Sequence, residues 1–469
     1  MTTGIFIWLI GVPLMKDGMF VDGVQYAAVS RNLSLGIGTY WEPHYSASLF
    51  AHFHQQPPGF IWLQSLFFTF GADTIYPERL FCFVEGVVMM LLIAYAWKYL
   101  NTDPGVSQLT WLPQLIWLSV PTVSWGLRNN VVENAMVIAD WVSVLLIIQA
   151  FEKKGAIFYF LLAVFFLFCA SFIKGIQGLF PLATPALYWL ATRKITFKKM
   201  TLVSCVMLIL IGACYFLLLS YQPAFESYRQ YFESRLSGFP HTLMQTTNNR
   251  LWLLFEMSVE LLIPIILFVV AILFYRISTN PIENQNWLQQ KRNSLFFLLT
   301  GLSSSLPLLI SFEQRTFYTI TAIPFFATAT SLFIAPALNI FIEKINWNDK
   351  GKFLQHTKIL MWVLIMAGII MGYLNAGKIG RDQELITDVR TIMQYTGSAR
   401  EIVVSPGLKS QWILHGYFQR YGNISLLSDC DYCSYYMQLK SEYNKSLPGY
   451  KLINLPASGL ELFKATGSK

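Results

Sequence analysis

Every second hydrophilic linker in this chain is basic, and the linkers separate apolar runs long enough for a helix to cross a bilayer. Lys98 occupies the first basic linker, Lys153 and Lys154 the next, then Arg193, Lys194, Lys198 and Lys199. Arg276, Lys291 and Arg292 follow, and Lys344, Lys350, Lys352 and Lys358 close the series. Short linkers rich in Lys and Arg remain on the cytoplasmic side, so the intervening linkers face outward. Inside hydrocarbon the backbone must satisfy itself, and an apolar helical bundle does so.

Composition agrees. Charged residues make up 13% of the 469, against roughly 25% in soluble chains. Aromatic residues reach 16%, with Trp and Tyr near segment ends, where interfacial anchors sit. The net charge of +8 lies mostly in the short linkers, where anionic lipid is its natural partner. Nucleic acid is therefore not an expected partner. The apolar runs predict eleven spans, at 3–15, 81–97, 109–125, 132–150, 157–172, 175–191, 202–219, 259–275, 295–310, 318–335 and 359–374. The first run has no basic region before it and no clear small-residue cleavage site, so it reads as a span rather than a signal peptide. Pro181, Pro185, Pro307 and Pro324 lie in or near spans, where neighbouring helices can satisfy the freed carbonyls.

Eleven spans and the charge pattern put the amino end inside and bring 16–80, 221–255 and 376–469 to the outer face. Residues 60–70 are apolar but too short to span, and predict a helix lying in the interface. The 221–255 loop, with Tyr221, Tyr228, Arg229, Tyr231, Arg235 and Arg250, predicts another surface helix. Residues 1–375 thus form a membrane domain. Residues 376–469 form a small α/β domain, with helices near 382–395 and 411–421 and strands near 401–405 and 425–427. At under about 100 residues such a domain must lean on other parts of the chain. Cys82, Cys169, Cys205 and Cys214 sit in apolar context. Cys430 and Cys433 form the one close pair, open to a disulfide in an exported segment or to half of a zinc site.

The loop after the first span carries the chemistry. Asp22 precedes a short helical pattern holding Tyr26 and Arg31, followed by Gly36-x-Gly38, then His52, His54, Gln56-Pro57-Pro58, Trp62 and Glu78-Arg79. Two readings of Asp22 stand: a helix cap, or a carboxylate that deprotonates an acceptor or holds a divalent ion. Tyr26 suits a core position as well as a site. Glu78 and Glu133 sit where acids favour a helix start. Arg128, Lys174 and Arg315 sit at span ends, where snorkelling is cheap. His52 and His54 have a ligand-like spacing in a polar loop that also suits solvated rings. The rigid Pro57-Pro58 step fixes where Gln56 points.

The set Asp22-Gly23-x2-Tyr26, Arg31-Asn32-Leu33, Gly36-x-Gly38, Gln56-Pro57-Pro58, Trp62 and Glu78-Arg79 resembles the C-type (GT-C) glycosyltransferases. The branch resembled is the family-39-like one, with the protein O-mannosyltransferases and the lipid A aminoarabinose transferase. Arg128-Asn129-x3-Glu133-Asn134, Lys174-Gly175 and Arg315-x2-Tyr318-x5-Pro324 extend the resemblance over most of 1–375. The resemblance implies a sugar donor on polyprenyl phosphate, a lipid, glycan or exported-protein acceptor, and an active site on the periplasmic face of a bacterial inner membrane. It implies that Asp22 activates the acceptor with inversion. It makes Tyr26, Arg31, Gln56, Glu78, Arg79, Arg128, Glu133, Lys174, Arg315 and Tyr318 candidates for holding donor phosphate or acceptor. Two departures stand out. Gln56 replaces the Lys that precedes Pro-Pro in many members, so phosphate charge must be met by Arg31, Arg79, Lys174 or Arg315. Gly23 follows Asp22 where some relatives carry a second acid. A divalent cation, Mg or Mn, is compatible with the chemistry. The competing class is a transporter or lipid-linked sugar flippase, which would place polar groups at mid-depth, often in inverted repeats. No repeated half is visible here.

Overall fold

The computed structural model describes residues 1–71, 73–237, 250–277, 285–311, 314–344, 350–397, 399–442 and 448–466. Part of the 221–255 loop therefore lies outside the described residues. The chain divides into two compact units. One comprises Met1–Val12, Cys82–Leu127 and Val132–Met371, and the other Pro13–Phe81, Arg128–Val131 and Gly372–Lys469.

The first unit is the helical bundle. Among the described residues seven helices are long and apolar enough to cross a membrane, or eight if the bent pair Trp252–Glu260 and Leu262–Arg276 is one span. This corrects the eleven expected from hydropathy. The shortfall lies in three places where apolar sequence does not make a separate long helix. The opening helix, Thr2–Leu14, is short. The 109–125 run is split into Trp111–Leu118 and Pro121–Arg128, because Pro121 cannot donate to the preceding turn. The two runs at 157–172 and 175–191 belong to one apolar stretch, Ala156–Thr192. That stretch turns at Gly175, whose φ of +69° suits glycine alone. Beyond the turn, a Cβ on Gly178 would come 2.5 Å from the Ala170 carbonyl, so the chain doubles back on itself.

Two hydrogen bonds orient the bundle. Gln149 donates to the Tyr95 hydroxyl at 2.9 Å, and Tyr99 donates to Glu152 at 2.9 Å. Both members advance in the same chain direction, so Pro77–Leu100 and Glu133–Glu152 run parallel. The interrupted segment 104–128 is the return path between them. Glu133–Glu152 is the most enclosed span, with Trp141 fully buried against Phe297 and Phe325. Phe197–Leu219 and Gln355–Asn375 are peripheral. They turn Leu208, Ile209, Phe216, Ile369 and Ile370 outward, as a hydrocarbon solvent allows.

The second unit holds the expected α/β domain, with more sheet than its sequence announced. Five strands stand in the order β2-β1-β3-β5-β4: β1 Glu401–Val404, β2 Ser425–Leu427, β3 Tyr435–Leu439, β4 Tyr450–Ile453 and β5 Leu460–Ala465. β1 lies parallel to β2 and β3, while β5 is antiparallel to β3 and β4. The Trp412–Gly422 helix makes the crossover between the parallel β1 and β2, as such pairs require. The Gln383–Thr396 helix turns Ile386, Val389 and Ile392 inward at helical spacing. They join Ile402, Val404, Leu414, Phe418, Leu426, Met437 and Leu462 in one core. Met19 and Val24 of the first outer loop complete that core. The domain thus leans on residues 13–81.

The short helix expected at 60–70 is Gly59–Phe70. It buries Phe60, Ile61, Gln64 and Phe68 on one face and exposes Leu63, Leu66 and Phe70 on the other. A row of exposed apolar residues three and four apart is what an interfacial helix presents to acyl chains. A nitroxide placed at Leu66 or Phe70 in a bilayer should collide more with oxygen than with a water-soluble nickel chelate. The reverse preference would refute an interfacial position.

Candidate functional site

The helix carrying Asp22 runs Val21–Ser34, with Phe20 in the extended N-cap position. Asp22 is therefore inside the first turn and is not the cap. A carboxylate there is favoured by the amide dipoles of the helix start. The helix is pressed onto residues 128–131. A Cβ on Gly23 would lie 2.0 Å from the Asn129 carbonyl oxygen, so no larger side chain fits without backbone movement. The glycine after Asp22, where some relatives have an acid, thus has a steric cause.

Side chains lock this approach. The Phe20 amide donates to Asn129 Oδ1 at 2.8 Å, and Asn130 Nδ2 donates to the Gly23 carbonyl at 2.9 Å. Gln64 Nε2 donates to Asn130 Oδ1 at 2.6 Å. Asn130 holds φ +53°, a left-handed conformation that Asn tolerates better than most residues. Arg79 donates to the carbonyls of Gly18 and Arg128, each at 2.8 Å. Its charge therefore stitches the loop to the 128–131 segment.

One turn beyond Asp22, Tyr26 is buried edge-on against Phe60 and Phe53, with ring centroids 5.4 and 6.3 Å away. Gln56 Nε2 lies 3.4 Å from the Tyr26 hydroxyl. Two predicted site residues are thus brought together, and Tyr26 is a core residue as well. Pro58 is the N-cap of Gly59–Phe70, so the Pro-Pro step sets the entry to that helix.

Arg31 and Glu78 meet acids and bases within their own unit. Arg31 Nε and Nη2 donate to the two oxygens of Asp73 at 2.7 and 2.5 Å. The hydrogen bond from Arg31 holds the Asp73 carboxyl below its ordinary range, against partial burial. Glu78 accepts from Arg420 Nε and Nη2 at 2.9 and 2.7 Å, and both side chains are buried. Burial opposes the Arg420 charge, but the Glu78 and Asp73 carboxylates outweigh it and raise its pKa. Arg420, Asp73 and Asn130 were not picked out from sequence. The usable signal for Arg420 was one guanidinium amid the apolar face of a predicted helix.

In the bundle unit, Glu133 opens its helix, wholly buried, and pairs with Lys174 at the end of Ala156–Lys174. The Lys174 ammonium stands 4.3 Å from the centroid of the Tyr318 ring. Glu133, Lys174 and Tyr318 therefore form one cluster. Arg315 is exposed and forms the N-cap of the Thr316–Thr321 turn. That turn is anchored by Thr316, which donates to Glu256 at 2.6 Å.

His52 and His54 do not form a metal site with a third ligand among the described residues. His52 is exposed and stands 3.8 Å from Glu42, while His54 is buried. The one group of three possible ligands among the described residues is Glu401, Cys430 and Cys433, whose ligand atoms lie within 4.8 Å of one another. The two sulfurs are joined in a disulfide, which withdraws both thiolates from metal binding.

Residues 55–218 match the family model for dolichyl-phosphate-mannose-protein mannosyltransferase. Two crystal structures of ArnT from Cupriavidus metallidurans match 98% of this chain and 96% of theirs, at 12% identity. The one bound to undecaprenyl phosphate gives a TM-score of 0.65 and the apo state 0.64. No curated protein sequence matches the chain. The similarity is one of fold: this chain has the C-type glycosyltransferase fold, as its first-loop motifs implied.

Lys174→Met should cost about 3–5 kcal/mol of stability, because Glu133 would keep a buried charge without its cation. The double variant Lys174→Met with Glu133→Leu should be less damaged than the sum of the two single changes. Thermal unfolding in detergent checks this, and strict additivity would show that the pair is not coupled.

Proposed function

We propose that this chain is a membrane glycosyltransferase that moves a sugar from a polyprenyl-phosphate donor to a lipid, glycan or protein acceptor. The observation that carries the reading is the ArnT-like fold over nearly the whole chain, together with Asp22 on a helix pinned at both ends. The chain is a multi-pass protein of a bacterial inner membrane, with the chemistry on the periplasmic side. The basic linkers support that orientation. The Cys430–Cys433 disulfide suits an oxidising compartment.

Asp22 is the base. Its carboxylate takes the proton from an acceptor hydroxyl or amine as that atom bonds to the anomeric carbon. The bond from that carbon to the phosphate oxygen breaks, and polyprenyl phosphate leaves with the electron pair. Attack opposite the leaving group inverts the anomeric centre. Fixed donors near the departing phosphate lower the barrier most, since charge develops there. Gln56, beside the Tyr26 hydroxyl, is the neutral donor. Arg31, Glu78 and Arg79 are engaged in holding the loop, so their contribution is to geometry.

Purified protein in membranes, supplied with a panel of radiolabelled polyprenyl-phosphate sugars, tests this reading. Transfer by the Asp22→Asn variant should fall by about 10²–10⁴-fold, the usual value of a positioned base. Undiminished transfer would remove Asp22 from that role. Gln56→Ala should raise the KM for the donor about tenfold, equal to one hydrogen bond of roughly 1.4 kcal/mol, and leave acceptor dependence unaltered. An unchanged donor KM would take Gln56 out of donor binding.

A further inference from the structure

Arg420 lies on the buried side of the Trp412–Gly422 helix in the C-terminal domain. Besides its two bonds to Glu78, its Nη2 donates to the Thr74 carbonyl at 2.5 Å. Its guanidinium sits 4.9 Å from the centroid of the Phe68 ring, and Nη1 stands 3.8 Å from Asp73. Asp73 is the partner of Arg31, in the last turn of the helix that carries Asp22. One planar fork therefore links the tail to the start of the Pro77–Leu100 helix, to the Gly59–Phe70 helix, and to the far end of the Asp22 helix. A charge-matched fork of this kind is specific to Arg.

The near end of the same helix meets the same tail helix. The Tyr417 hydroxyl donates to Asp382 at 2.8 Å and accepts from the Met19 amide at 3.3 Å. Tyr421 donates to Asp17 at 2.9 Å, and Asp17 also accepts from Arg390 at 2.5 Å. Between these ends the tail lies in direct contact with the helix. A Cβ on Gly416 would stand 2.9 Å from Val24 Cγ1 and 3.4 Å from Val24 Cβ.

We propose that Arg420 is a positioning residue for the transfer reaction. Through Glu78 and the Asp73–Arg31 pair it holds the Val21–Ser34 helix in the placement that Asp22 needs, so the C-terminal domain is part of the catalytic apparatus. The proposal rests on Asp22 being the base. A helix fixed at Met19 and Arg31 cannot tilt or slide between them. Loss of the Arg420 fork frees the Arg31 end, and displacement of a base by about 1 Å costs on the order of 10²-fold in rate.

The test uses the full-length chain in lipid nanodiscs. Arg420→Met should lower kcat about 10²-fold with the donor KM nearly unchanged, because geometry rather than binding is lost. Arg420→Lys, which keeps charge but not the fork, should fall in between. Amide hydrogen exchange across 21–34 should quicken in Arg420→Met. A covalent staple separates positioning from any other role. Cysteines replacing Val24 and Gly416 lie within disulfide reach. In the Arg420→Met background the oxidised staple should restore most of the lost kcat. Unchanged kcat in Arg420→Met overturns the proposal, as does a formed staple with no recovery. Should Arg420→Met fail to fold, Arg420→Lys with and without the staple gives the same decision. Unchanged exchange across 21–34 also overturns it. That arm needs no turnover, so a wild-type chain inactive with every donor would defeat the transferase reading and leave the docking result standing.

Discussion

Opposite charges around two buried guanidinium groups hold the first outer loop in shape. Arg420 with Glu78 and Arg31 with Asp73 are forked pairs in which a planar cation meets both oxygens of a carboxylate. Such pairs add little net stability over an apolar packing, since each ion gives up water. What they contribute is uniqueness, because removing either partner strands the other. A loop of some sixty residues, much of it outside its two helices, needs that selectivity. The Asn129–Asn130 hinge does the same for neutral groups, by answering backbone amides and carbonyls that the loop cannot answer itself.

This division of labour changes how the polar residues of the loop read. Arg31, Glu78 and Arg79 have the residue types expected of phosphate or sugar ligands. Here they meet a carboxylate, a guanidinium and two carbonyls of the same unit. Asp22, Tyr26 and Gln56 sit on and around one turn of helix, with Tyr26 and Gln56 within reach of each other. In the bundle unit the cation that pairs with a buried acid is also stacked on an aromatic ring.

Much of this could be read from the chain. The bundle, the short Gly59–Phe70 helix, the tail helices and the first two strands all follow from periodicity and span length. The number of long helices did not follow, because hydropathy sees apolar content and not breaks. Pro121 and Gly175 interrupt stretches that are apolar throughout. The last three strands were missed since β3 to β5 mix polar and charged residues into their apolar ones, and strand pairing depends on partners distant in sequence. Asp22 could be singled out because one residue carries a recognisable motif. The Arg420–Glu78 pair could not, because its members stand 342 positions apart. No local pattern encodes such a partnership.

That separation has a consequence for biogenesis. The ribosome delivers the Asp22 helix first and its clasp, Tyr417 and Arg420, about 400 residues later. Until then Asp17 and Glu78 wait outside the lipid, hydrated, with Arg390 and Arg420 not yet made. Docking closes a very long chain loop in a single late event. Any polypeptide that stops short of the tail, even with every bilayer crossing in place, leaves translation without its latch.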